Sequence, residues 1–207
     1  MTKQPWNKNK SIGQKKPFTP RQIEMLKEFL GNAGKIKELA LFSFGIDSML
    51  RSSDLLKIKV EDVLDHKGKA KQEIQVRQKK TGQSHRVKIG ENTCKAIEAL
   101  IKKEKKWEGD YLFVADDVRF ENGRRRTPMG RCHYSILIKE WCKLIQLDPR
   151  DYSTHSIRRS RAAILYKATN NIEAVRQLLG HKSVSSTSAY LNLGQNEAFD
   201  IYEEFLD

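Results

Sequence analysis

His155-Ser156-Ile157-Arg158, then Leu179-Gly180-His181, then Tyr190: the rest of the chain is read outward from this stretch. His155 and Arg158 stand at i and i+3, so on a helix they share one face. Leu179-Gly180 is a helix stop, because glycine accepts the left-handed conformation that follows a last helical turn. The pattern predicts helices at about 156–167, 171–179 and 185–192, with a last one at about 195–206. Two histidines, an arginine and a tyrosine thus fall within 36 residues. That set suits phosphate chemistry. A phenol hydroxyl can attack a phosphodiester where positive charge stabilises the crowded transition state and an acid protonates the departing oxygen. Taken singly, each piece has a plainer reading. His-x-x-Arg is commonly a solvated helix face, Leu-Gly-His commonly a helix end, and Tyr190 is one of six tyrosines. Order and spacing together carry the signal.

Further positive charge lies upstream. Arg51 opens Arg51-Ser52-Ser53-Asp54-Leu55-Leu56-Lys57-Ile58, and Lys80 lies in Lys79-Lys80-Thr81-Gly82. With these residues the chain resembles the tyrosine recombinase, or lambda-type integrase, family over roughly Phe18 to Asp207. The family's first-arginine segment, Arg-x-x-Glu/Asp-Leu-x-x-Leu, is matched from Arg51 to Ile58, with Asp54 as the acidic member. Its hairpin lysine matches Lys80, with Lys79 as an adjacent alternative. Its His-x-x-Arg matches His155 and Arg158, its Leu-Gly-His matches His181, and its nucleophile, nine residues on, matches Tyr190. One departure stands out. The family commonly has Thr-Gly-Leu/Met-Arg before the first arginine, whereas here Gly45 is separated from Arg51 by Ile46-Asp47-Ser48-Met49-Leu50.

The resemblance implies a mainly α fold with a small antiparallel β-sheet (α+β). It implies a catalytic domain over 18–207, similar in size to the fimbrial-switch recombinases, behind a flexible basic arm at 1–17 and without a separate N-terminal core-binding domain. The implied activity is site-specific DNA recombination through a 3′-phosphotyrosyl intermediate, with no metal, cofactor or ATP. Tyr190 would attack, Arg51 and Arg158 would hold the non-bridging oxygens, and Lys80 would protonate the leaving oxygen. His155 would take or relay the tyrosine proton, His181 would donate to a phosphate oxygen, and Asp54 would orient a neighbouring cation or imidazole. The implied partners are double-stranded DNA, further copies of the chain in a tetramer on synapsed DNA, and accessory DNA-bending proteins. Two rivals use the same residues differently: a type IB topoisomerase, and a non-catalytic DNA-binding accessory or regulatory protein that retains the fold.

Composition agrees with a polyanion as partner. The formal net charge of +13 favours nucleic acid first and an anionic membrane surface second. There is no run of the roughly 20 apolar residues that a membrane span needs. Lysine-rich Met1 to Lys16 has no apolar core of a secretory signal. Cys94, Cys132 and Cys142 are odd in number and widely spaced, which suggests reduced thiols and a cytoplasmic protein. Cys132-His133 with Cys142 lacks a Cys-x-x-Cys pair and a fourth ligand, so ordinary packing is the expectation there.

The remaining elements follow from periodicity. Thr19-Pro20 reads as an N-cap and first turn. Ile23, Leu26, Phe29 and Leu30 form the stripe of that helix, and Gly31 stops it. A second, buried helix is expected at about 36–50. Ile74 and Val76, then Val87 and Ile89, alternate as two strands, with Lys79 to Ser84 as the turn that puts Lys80 at a hairpin tip. A helix at about 91–106 carries Ala96, Ile97, Leu100 and Ile101 on one side and a lysine cluster at its end. Arg124-Arg125-Arg126, with Lys79, are candidate DNA contacts, a solvated loop being the other reading. Thr127-Pro128 is expected to start a helix at about 128–145. In the last helix Phe199, Tyr202, Phe205 and Leu206 fall on one stripe, which packs on its own domain or docks on a neighbouring copy.

Overall fold

The structure is a computed structural model that describes residues 14–79, 82–115 and 127–191. Helix α1 (Pro20–Asn32) begins with a capping box: Gln22 N–H donates to the Thr19 hydroxyl while the Gln22 side-chain oxygen accepts from Thr19 N–H. Ile23, Leu26 and Leu30 are buried, but Phe29 is 44% exposed. Phe29 sits about 100° round the helix from Leu30, outside the stripe to which the sequence reading assigned it. Gly31 lies inside the helix rather than ending it.

Helix α2 (Ile36–Ser48) is buried along most of its length and forms the middle of the core. It ends at Met49, which adopts the left-handed conformation (φ 49°). That backbone shape is the one glycine favours, at an expected cost of about 1–2 kcal/mol for an L-residue. Ser48-Met49-Leu50-Arg51 therefore stands where Thr-Gly-Leu/Met-Arg was sought, with methionine in the glycine's place. Gly45 has a different task. A Cβ there would lie 2.8 Å from Ile157 Cγ2, so it permits close approach of the helix that carries His155 and Arg158.

Two four-residue helices, α3 (Ser52–Leu55) and α4 (Val60–Val63), follow; they are too short to show periodicity in sequence. Strands β1 (Glu73–Arg77) and β2 (Ser84–Lys88) pair antiparallel in the register Glu73 with Lys88 and Arg77 with Ser84. Ile74, Val76 and Val87 face inward, as alternation predicts. Helix α5 (Glu91–Glu104) ends at left-handed Lys105. Its N-cap, Gly90, has no side chain to offer. Asp47 of α2 supplies the cap instead, accepting from Gly90 N–H (2.9 Å) and the Thr93 hydroxyl (2.7 Å) while pairing with Arg161 (2.9 Å).

Helix α6 (Arg131–Leu144) is capped by Gly130, not started by Thr127-Pro128. Met129 N–H bonds to the Phe113 carbonyl (2.9 Å), so the chain runs alongside Phe113 before it winds. Trp141 of α6 is fully buried and donates its indole N–H to Glu38 (2.7 Å). Helices α7 (Thr154–Thr169), α8 (Ile172–Leu179) and α9 (Val184–Leu191) lie close to the expected positions. A Ser153–Ser156 capping box sets the start of α7 two residues earlier than read. Met49, Ala162, Val175 and Leu179 form a second buried cluster, with Tyr190 and Leu191 packed on it. That cluster ties α7, α8 and α9 to the end of α2. The fold is thus mainly helical with a small antiparallel sheet. The expected helix at 195–206 and residues 1–13 of the arm lie outside the described residues.

Asp47 links three elements through one carboxylate. Asp47→Ala is expected to cost about 2–3 kcal/mol, read as a lower urea midpoint, whereas Arg161→Ala, which leaves the α5 cap in place, should cost less. Equal costs would contradict the capping role.

Candidate functional site

The site is built around the ends of helices. Arg51 is the N-cap of α3, directly after the turn that Met49 makes, and donates to the side-chain oxygen of Gln78 (2.8 Å). Gln78 is buried just beyond β1, and its backbone bonds to Gln83 and Gly82 close the start of the hairpin turn. Asp54, also buried, accepts from the backbone N–H of Lys79 (3.1 Å). Among the described residues its partners are this hairpin N–H and the Ser53 hydroxyl (3.4 Å), and its second oxygen is buried without one. Arg51 and Asp54 together grip Gln78 and Lys79, the residues that lead into Lys80. The Lys79 side chain lines a separate pocket with Asp54, Lys57 and Asp62. Lys80 and Arg124, Arg125 and Arg126 lie outside the described residues.

On α7, Arg158 is 3% exposed and donates to the Leu179 carbonyl at the end of α8 (2.6 Å). Burial pushes its guanidinium down to about 10, helped by Arg51 and opposed by Tyr190 and Asp54. It remains a cation at neutral pH. His155, one turn earlier, is held below its ordinary value by burial first and by Arg158, Arg159 and Arg51 after it. Two residues of the hairpin and α7 thus take the last carbonyls of α8: His85 donates to Leu178 (2.8 Å) and Arg158 to Leu179. The His85 ring is lowered by its burial, although that hydrogen bond works the other way.

After α8 the chain turns at Gly180 (φ 64°). A Cβ there would lie 2.7 Å from the Gln78 side-chain nitrogen and 3.3 Å from His85 Nδ1, so the turn needs glycine for both shape and space. His181 follows, its Nδ1 within 3.1 Å of the Thr187 hydroxyl, which fixes the ring plane. The ring of Tyr190 on α9 meets His181 edge to face, centroids 5.3 Å apart. The Arg158 guanidinium carbon lies 5.8 Å from the Tyr190 centroid, and the Tyr190 hydroxyl donates to the His155 carbonyl through a long 3.4 Å contact. Burial raises the phenol, and Arg158, Arg159 and Arg51 pull it back.

Arg51, His155, Arg158, His181 and Tyr190 line one pocket of about 580 Å³, with Gly180, Lys182 and Ser186. Five of the six expected residues are therefore in one place, and Lys80, outside the described residues, adjoins Lys79. Residues not singled out from sequence also contribute. Gln78 continues the inward alternation of Ile74 and Val76, and His85 that of Val87 and Ile89. A polar side chain at an inward strand position was the available signal. Arg159, beside Arg158, offered none.

The phage integrase family model matches residues 16–197. The chain belongs to the phage integrase family. Its enzyme class is that of the site-specific tyrosine recombinases. The chain is 28% identical over 184 residues to the probable integrase/recombinase YoeC of Bacillus subtilis (strain 168), covering 89% of this chain and 92% of that one. It is 28% identical over 175 residues to the tyrosine recombinase XerC of Neisseria gonorrhoeae (strain ATCC 700825 / FA 1090), covering 84% of this chain but only 53% of XerC. It spans about half the length of that relative. In fold it is similar to the crystal structure of XerA recombinase, with TM-score 0.70 at 20% identity over 95% of this chain and 67% of that one. The XerH site-specific recombinase bound to its difH substrate is also similar, with TM-score 0.70 at 16% identity over 92% of this chain and 54% of that one. No described helix is long and apolar enough to cross a membrane.

Gly180→Ala is expected to cost about 1–2 kcal/mol for the left-handed backbone, plus the displacement of Gln78. Adding Gln78→Ala removes the obstruction, so the double variant should cost less than the sum of the two single variants in urea denaturation. Simple additivity would show that Gly180 and Gln78 do not collide.

Proposed function

We propose that the chain breaks and rejoins double-stranded DNA at a specific site through a covalent link to Tyr190. The observation that carries this reading is the placement of the Tyr190 ring against Arg158 and His181, in the same pocket as Arg51 and His155. The phenol oxygen attacks the scissile phosphorus, the bond to the 5′-oxygen breaks, and a 3′-phosphotyrosyl link and a free 5′-hydroxyl result. The reverse attack by a 5′-hydroxyl rejoins a strand. The energy of the broken bond is kept in the link, so the balance needs neither ATP nor another cofactor.

Each residue has a role that fits its surroundings. Arg51 and Arg158 bind the non-bridging oxygens, where a planar fork suits phosphate. Both are cations aimed into the pocket, and the charge they supply makes a metal unnecessary. His155 is neutral at physiological pH, because burial and the neighbouring arginines disfavour its protonated form, so it can accept the tyrosine proton. His181, its ring plane set by Thr187, donates to a phosphate oxygen. Lys80, next to the backbone that Asp54 holds, delivers a proton to the leaving 5′-oxygen. Residues 18–207 form the catalytic unit. The net charge of +13 supports DNA as partner. Further copies of the chain complete a tetramer on synapsed DNA.

Wild type and Tyr190→Phe incubated with supercoiled DNA carrying the target site, then denatured in SDS, test the reading. Wild type should give a protein-linked nick without added metal, and Tyr190→Phe none, while both bind DNA alike. An adduct formed by Tyr190→Phe would refute it.

The acid limb of cleavage follows from His155. Its protonated form cannot accept the phenol proton, so the rate should fall as pH drops through its value, which lies below the ordinary 6.5. Single-turnover cleavage across pH should therefore hold level near neutrality and decline only below that point, and His155→Gln should flatten the decline. A midpoint at or above 6.5 in wild type would contradict the assignment.

A further inference from the structure

We propose that the segment Gln14 to Lys16 and the side chain of Arg159 form a strap that positions the helix bearing Tyr190. The inference rests on Tyr190 being the nucleophile and adds a positioning residue that none of the matched motifs contains.

The geometry has two independent parts. First, the segment is stitched to the body of the protein on both sides of the site. Gln14 donates its side-chain amide to the carbonyl of Ala189, the residue before Tyr190 (2.6 Å). Lys15 reaches the Arg150 carbonyl (2.5 Å), Lys16 pairs with Asp151 (2.7 Å), and Phe18 N–H donates to the Ser160 hydroxyl (2.8 Å). Second, Arg159 donates to the Lys15 carbonyl (2.5 Å) while its guanidinium carbon lies 5.0 Å from the centroid of the Tyr190 ring. Tyr190 therefore meets two adjacent arginines of α7, Arg158 at 5.8 Å and Arg159 at 5.0 Å.

Arg159 is 7% exposed, its Nε is buried without a hydrogen-bond partner, and no carboxylate pairs with it among the described residues. A buried cation so placed is costly unless something compensates it. What it has is the aromatic ring and the carbonyl of the strap. The strap fixes the guanidinium, the guanidinium fixes the ring, and the Gln14 amide fixes the backbone beside the ring. Helix α9 has eight residues with Thr187 buried, and Tyr190 and Leu191 pack on the second cluster; the strap adds a hold on the backbone and ring at the end that bears Tyr190.

The test uses full-length protein labelled with 3-fluorotyrosine, the Tyr190 signal being assigned among six tyrosines by its loss in Tyr190→Phe. Arg159→Ala and Gln14→Ala should each shift the Tyr190 resonance and leave those of Tyr111 and Tyr134 in place, which general loosening of the fold would not do. Single-turnover cleavage should fall roughly tenfold in Arg159→Ala and about two- to threefold in Gln14→Ala, given the strength of a buried cation–aromatic contact and its hydrogen bond. Arg159→Lys, which keeps the charge but not the fork, should recover part of the loss. DNA affinity should change less than cleavage in every variant. An unmoved Tyr190 resonance, or an affinity loss that accounts for the whole loss of cleavage, would overturn the strap. If Arg159→Ala does not fold, Gln14→Ala, altered at an exposed side chain, and Arg159→Lys decide the matter. If wild type forms no covalent adduct, the nucleophile reading falls, while the fluorine shifts still report whether the strap holds the ring.

Discussion

A guanidinium that is almost wholly buried, that of Arg158, ties the parts of this site together, and burying it is expensive. Removing such a cation from water costs several kcal/mol unless close partners replace the solvent. Here the replacement comes from three directions: the Leu179 carbonyl at the end of α8, the face of Tyr190 on α9, and the field of Asp54 from α3. Each partner is also a part of the site. Satisfying the charge therefore assembles the pocket, and a disturbed pocket leaves the charge exposed to its own desolvation cost. Stability and site geometry are coupled through one side chain.

The hairpin completes the same logic from the opposite side. Gln78 meets Arg51, Lys79 N–H meets Asp54, and His85 takes the Leu178 carbonyl that Arg158 leaves alone. The hairpin is thus pinned to α3 and to α8 next to the loop that carries Lys80. Close approach at Gly180 makes this possible, because any side chain there would strike Gln78. Arg51 caps α3, His155 and Arg158 sit in the first turns of α7 and His181 follows α8, while the Tyr190 ring on short α9 is set against Arg158, Arg159 and His181.

Much of this was legible in sequence, and the rest was not for physical reasons. Helix α5 could be placed because its stripe survives noise over three or more turns, and α2 because its dense apolar run marks a buried helix. His155 and Arg158 marked the site because, three residues apart, they share one face of α7, whereas His181 and Tyr190 were marked by the resemblance of their order and spacing to the family's motifs. Met49 escaped notice because its left-handed turn is the kind glycine usually makes, and the buried packing of its side chain offsets the backbone cost. The start of α6 was misplaced because Thr-Pro is a good local start, yet the tertiary bond from Met129 to Phe113 keeps the chain extended. Phe29 was counted as core although helix geometry puts it to the side. Arg159, Gln78 and the cap from Asp47 act across long sequence separations, which no local pattern reports.

The central claim is that the hydroxyl of Tyr190, whose ring lies against Arg158 and His181, becomes bonded to DNA. It is tested most directly by trapping the protein on a nicked target, digesting the complex with nuclease and protease, and sequencing the nucleotide-bearing peptide by mass spectrometry. The structure predicts one modified peptide, with the residual nucleotide on Tyr190 joined through its 3′-phosphate. A nucleotide on any other residue, or a 5′-phosphate linkage, would contradict it.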